Sequence, residues 1–132
     1  MTTELKKNHA LILRTDGEFE IIDWPADGHL AILYRAIDCR NVDAVDISTT
    51  LTMWVDDEGL INGAPVNHGA TILYALHKEP HQHYHGTTVI TGGTGRHGET
   101  LGLSKDEIAS LVEFHLTFIP LRIPGQRDRR AS

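Results

Sequence analysis

A chain of 132 residues, 40% hydrophobic and 23% charged, has the size and composition of one ordinary globular domain, which excludes global disorder and fibrous architectures. The single Cys39 excludes an internal disulfide framework and fits a reducing compartment, and no run approaches the roughly 18 apolar residues of a membrane-spanning helix, so the expected location is the cytoplasm. The net charge of −6 is unevenly spread: residues 16 to 58 hold eleven Asp and Glu against Arg35 and Arg40, while Arg122, Arg127, Arg129 and Arg130 face only Asp128 near the end. The acidic part repels nucleic acid and suits a basic partner, and only the arginines of the tail offer a contact for phosphate.

The first predicted elements are two strands, HALILRT and EFEIIDW, joined by the hairpin signal Asp16-Gly17 and closed by Pro25. Leu30, Leu33, Tyr34 and Ile37 then recur at helical spacing, with Asp27 as the expected N-cap. AVDIS and LTMWVDDEG alternate as a second hairpin with one wet face, turned by Asp56-Asp57-Glu58-Gly59, and LINGAP is expected to pair briefly. The second helix starts at Asn67, carries Ile72, Leu73 and Leu76, and stops before Pro80. TTVITGG reads as a strand ended by glycines. The last helix has a capping box, Ser104 with Glu107, followed by an apolar face of Ile108, Leu111, Val112 and His115, and ends near Thr117.

This order predicts an α+β fold: one twisted, mostly antiparallel sheet with about three helices packed on it, on one face. The domain spans residues 1–118, with 119–132 as a flexible basic tail. A hairpin-rich sheet has edges, so self-association is left open.

The stretches LTMWVDDEGLINGAPVNHGATIL, TTVITGG and GETLGLSKDE resemble a bacterial and phage family known as domain of unknown function DUF3846, over roughly residues 9 to 118. The most specific parts are the turn at Trp54 to Gly59, the helix start Asn67-x-x-Ala70-Thr71, and Gly98 to Leu103. The resemblance implies a fold and a setting on plasmids and phages, and no activity.

Candidate chemistry concentrates in HKEPHQHYHG, residues 77 to 86. In an extended segment His81, His83 and His85 point to one side, roughly 6 to 7 Å apart, so two can grip a zinc ion while His77, or His97 with Glu99 as a general base, completes the set. The plain alternative is a solvated loop, and a third reading is a patch that gains charge on acidification. The glycine-rich TGGTGRHGE could let Arg96 and His97 meet an anion, although it lacks the Walker lysine; the alternative is a hairpin-like loop. Asp56, Asp57 and Glu58 have too few ligands for calcium and read as turn chemistry, and with Trp54 they form a candidate interface. His115 reads as a hydrogen-bonded core or rim residue. No nucleophile–base constellation can be built, and Cys39 reads as an inert thiol. The function expected from these residues is that of a non-enzymatic binding or accessory protein with no cofactor, acting through its acidic surface on a protein partner. The alternative is a small zinc-binding protein or hydrolase.

Overall fold

HALIL is apolar at consecutive positions, so a strand built from it must bury both faces, and that requirement shapes the fold. In the computed structural model, which describes residues 7–59, 62–78 and 83–119, this strand is β1 (His9–Leu13). The remaining elements are β2 (Phe19–Asp23), α1 (His29–Ile37), β3 (Val42–Asp46), β4 (Leu51–Asp56), α2 (His68–His77), β5 (Thr88–Gly92) and α3 (Lys105–Phe118). The strands form one sheet in the order β2-β1-β5-β4-β3, antiparallel throughout. The expected α+β arrangement of one antiparallel sheet and three helices is what the chain adopts.

The helices, however, cover both faces. Leu11, Leu13, Met53, Val55 and Ile90 point to a core shared with Leu73 of α2 and Ile108 and Leu111 of α3. Ala10, Ile12 and Val89 point the other way, against Leu33 and Ile37 of α1 and Trp24. Ala10 to Leu13 of β1 and all of β5 are buried, with apolar residues facing both ways, so a single layer of helices would leave one of their faces in water. For the same reason β4 has no wet face: Thr52 is buried on the side that α1 covers. The edge strands β2 and β3 are only partly covered, with Phe19 and Val45 against the first core and Ile22 and Val42 against the second.

Local signals set most boundaries. The capping box at α3 forms as expected, with Ser104 Oγ accepting from the Glu107 N–H and Glu107 accepting from the Ser104 N–H. Asn67 caps α2 through the Ala70 N–H. Asp27 does not cap α1: the N-cap is Gly28, whose left-handed backbone (φ 78°) is not the extended geometry that a capping side chain needs. The entry to α1 is held instead by the His29 ring, which stacks on Trp24 with centroids 4.2 Å apart and bonds the Pro25 carbonyl. Residues 60 and 61, within the segment expected to pair briefly, lie outside the described residues, as does the tail from 120; just beyond the former, Val66 bridges His85.

Candidate acidic and histidine-lined cleft

The extended run after the second gap in the described residues is pinned by its middle residue. Tyr84 is buried against Tyr74 of α2, its N–H donates to Thr71 Oγ1 at 3.0 Å and its carbonyl accepts from the Asn67 N–H at 2.7 Å. Because alternate residues of an extended segment face opposite ways, burying Tyr84 turns His83 and His85 outward together. They border a cleft of about 390 Å³ whose other walls are Asp43 and Val45 of β3, Val55 and Asp56 of β4, and Asp57 and Gly59 of the following turn.

The turn is shaped to meet them. Asp56 Oδ1 accepts from the Glu58 N–H at 2.9 Å, and Gly59 lies so close to the His85 backbone that a Cβ there would stand 2.9 Å from its carbonyl oxygen. His85 Nδ1 is 2.9 Å from the Ala64 carbonyl, so that nitrogen carries the hydrogen and Nε2 is left for other partners. Burial, then neighbouring Tyr74, then Asp43 push the Tyr84 hydroxyl up to about 12, which keeps it a neutral hydrogen-bonding group. Glu58 has one distant ion pair, 3.8 Å to exposed Arg40, while Asp43 and Asp57 have none among the described residues.

The other candidates disperse. His81 lies outside the described residues. His77 turns its Nδ1 to the Leu73 carbonyl, 3.0 Å away, and borders a different cavity beside α3. His97 sits in the hairpin after β5, closed by the bridge between Thr94 and Thr100. Among the described residues no three His, Cys, Asp or Glu side chains converge to hold a metal ion. Glu99, the candidate base, accepts from the His97 N–H at 2.9 Å; backbone donors from its own residue and from His97 hold its carboxyl below the usual range, whereas a general base at neutral pH needs the opposite shift. The same carboxylate occupies the His97 N–H, a donor that a bound anion would use, and leaves Arg96 and His97 exposed at the tip. Of the candidate interface, Asp56 and Asp57 border the cleft, while Trp54 lies on the opposite face, half-buried, donating to Thr91 Oγ1 at 2.9 Å. Burial and then Asp56 push the Cys39 thiol up, consistent with an inert role.

Sequence reasoning missed two residues that build the site: Tyr84, whose signal was an aromatic between alternating histidines, and Asp43, one of several carboxylates on an edge strand.

The family pattern of domain of unknown function DUF3846 matches residues 7–115, which takes in seven of the elements whole and α3 up to His115. The chain belongs to this family. No curated protein and no solved structure matches it. The three DUF3846 stretches picked out in the sequence have architectural tasks here. Trp54 to Gly59 makes the turn that backs His85. Buried Asn67 ties α2 to β1 and to the segment before β5 through bonds of 2.9 Å from Nδ2 to the Leu13 and Gly86 carbonyls. Within Gly98 to Leu103, Gly102 abuts the Lys7 carbonyl, where a Cβ would clash, and Leu103 pairs with His9. Among the described residues no helix is long and apolar enough to cross a membrane.

Proposed function

We propose that the chain is a non-enzymatic cytoplasmic accessory module whose cleft between β3, the β4 turn and residues 83–85 takes a basic segment of a protein partner. The observation that carries this reading is one wall bearing Asp43 and Asp57, without ion pairs among the described residues, in the stretch 16 to 58 that holds eleven carboxylates against two arginines. Carboxylates around a concave site attract and orient cations, and the outward face of the His83–His85 segment adds hydrogen-bonding capacity. The setting implied by the family resemblance, plasmids and phages, supports an accessory role.

The test is fluorescence anisotropy with a labelled octa-lysine peptide at low and physiological salt. Asp43→Asn with Asp57→Asn is expected to weaken binding roughly five- to thirty-fold, from about 0.5 to 1 kcal/mol per rim charge. The control is Asp27→Asn with Asp38→Asn, which makes the same change in net charge away from the cleft. Equal losses in both variants would show that only net charge matters and would sink the assignment.

A further inference from the structure

The sheet has two edges, and they are not equivalent. Hydrogen bonds from Arg14 N–H to the Glu18 carbonyl and from Trp24 N–H to the Asn8 carbonyl set the phase of the β1–β2 ladder. In an antiparallel pair bonded and non-bonded positions alternate, so Glu20 and Ile22 turn their backbone groups toward β1. The N–H and C=O groups of Phe19, Ile21 and Asp23 therefore point away from the sheet. Beside them runs a mainly apolar groove of about 730 Å³, bordered by Ile21 and by Ile108, Ala109, Val112 and Leu116 of α3, with Glu113 and Thr117 also lining it. Ile21 is 48% exposed and Leu116 41%, so two large apolar side chains stand in water on facing sides of this groove.

A row of backbone donors and acceptors without partners among the described residues, beside a mainly apolar groove, is a template for an added strand. We infer that the occupant is β2 of a second copy, paired antiparallel about a two-fold axis at Ile21, so that the two sheets become one. The register decides for a second copy. It sets Ile21 against its symmetry mate, Glu20 against Ile22 and Phe19 against Asp23, so no carboxylate directly faces another. All three outward residues then meet outward residues, and their backbone groups are satisfied reciprocally. The one diagonal like-charge pair, Glu20 with its mate, is already countered on each copy by Arg14 at 2.8 Å. Both Ile21 side chains land between the two α3 grooves, covering the apolar strip.

The other edge does not offer this. On β3, bonds from Ile47 N–H to the Leu51 carbonyl and from Asp57 N–H to the Asn41 carbonyl leave Val42, Ala44 and Asp46 pointing outward. That strand carries Asp43 and Asp46, neither with an ion pair among the described residues, so two copies meeting there would bring uncompensated charge together. The inference does not rest on the proposed function. Pairing through β2 leaves both acidic clefts free, at the two far ends of the joined sheet.

Two measurements on the full chain test it. Sedimentation velocity at micromolar concentration is expected to give twice the chain mass of 14.7 kDa, falling to the single mass in Ile21→Lys, with the far-ultraviolet circular dichroism unchanged. In a Cys39→Ser background, Ile21→Cys is expected to form a disulfide-linked dimer on mild oxidation, because bonded antiparallel partners hold their Cα atoms about 5.5 Å apart, within disulfide range. Ala44→Cys on the opposite edge is expected to form no disulfide-linked dimer under the same oxidation. A monomeric parent chain, a dimer that persists in Ile21→Lys, or equal cross-linking at Ala44→Cys would each overturn the inference.

Discussion

Replacing Asn67 probes the joint on which the cleft depends, because this side chain is fully buried and uses both ends of its amide. Its Oδ1 accepts from the Ala70 N–H at 3.0 Å, and its Nδ2 donates to the Leu13 and Gly86 carbonyls at 2.9 Å each. Asn67→Ala removes the cap of α2, a loss of about 1 kcal/mol. It also strips a donor from two carbonyls at about 1 to 2 kcal/mol each, for a total of roughly 3 to 5 kcal/mol. That is a large part of the 5 to 15 kcal/mol that typically holds a domain folded, and corresponds to a fall in Tm of roughly 10 to 20 °C. Asn67→Asp separates the two functions, since a carboxylate keeps the cap but cannot donate and sets negative charge against two carbonyl oxygens. Its folded-state pKa is therefore raised above the unfolded value, the folded state binds the extra proton, and stability falls as pH rises past about 3.9. Urea melts followed by circular dichroism should show both variants destabilised at pH 7 with an unchanged m-value, and only Asn67→Asp regaining stability toward pH 4. An alanine variant within 1 kcal/mol of the parent, or an aspartate variant as stable as the parent at pH 7, would refute the reasoning.

Two further substitutions have outcomes that local propensity does not foresee. Gly69→Ala, in the first turn of α2, should destabilise by about 1 to 3 kcal/mol in thermal melts although alanine is the better helix former, because its Cβ would stand 2.7 Å from Cε1 of His115, which is buried and fixed by its Nε2 at 2.7 Å from the Gly17 carbonyl. For Glu107, burial alone would raise the carboxyl, but the Ser104 N–H and Lys7 outweigh it and leave the carboxyl lowered. A lowered carboxyl contributes stability above its unfolded value, near 4.3, and loses it as pH falls through the folded value. The gap in stability between the parent and Glu107→Gln should therefore be present at pH 7 and close in acid, as read from melts across pH 2 to 7.

The local features of this fold were legible because their signals lie within a few residues: the Asp16-Gly17 turn, the Asn67 cap and the Ser104–Glu107 box. The side on which α1 packs was not written in α1. It followed from HALIL and TVITG, whose consecutive apolar and β-branched residues demand cover on both faces, and a reading centred on the alternation in AVDIS and LTMWVDDEG passed over them. Asp27 was the wrong cap because Gly28 turns left-handed where Trp24 stacks on His29, a contact between side chains that no propensity records. The candidate site was half visible. The histidines stood out as a cluster in sequence, yet the buried Tyr84 decides which way they face, and β3 and the β4 turn bring Asp43 and Asp57 to them from far along the chain. Zinc ligation from spacing alone counted His77 and His97, which the helix end and the hairpin hold elsewhere.

The most direct test of the acidic cleft as a recognition site is a titration of isotope-labelled full-length protein with octa-lysine, followed by amide chemical shifts. The cleft account predicts perturbations centred on Asp43, Val55, Asp57, Gly59 and His85, saturating together and weakening with salt. Shifts spread evenly over the acidic residues 16 to 58, or centred on the hairpin at Arg96 and His97, would contradict it.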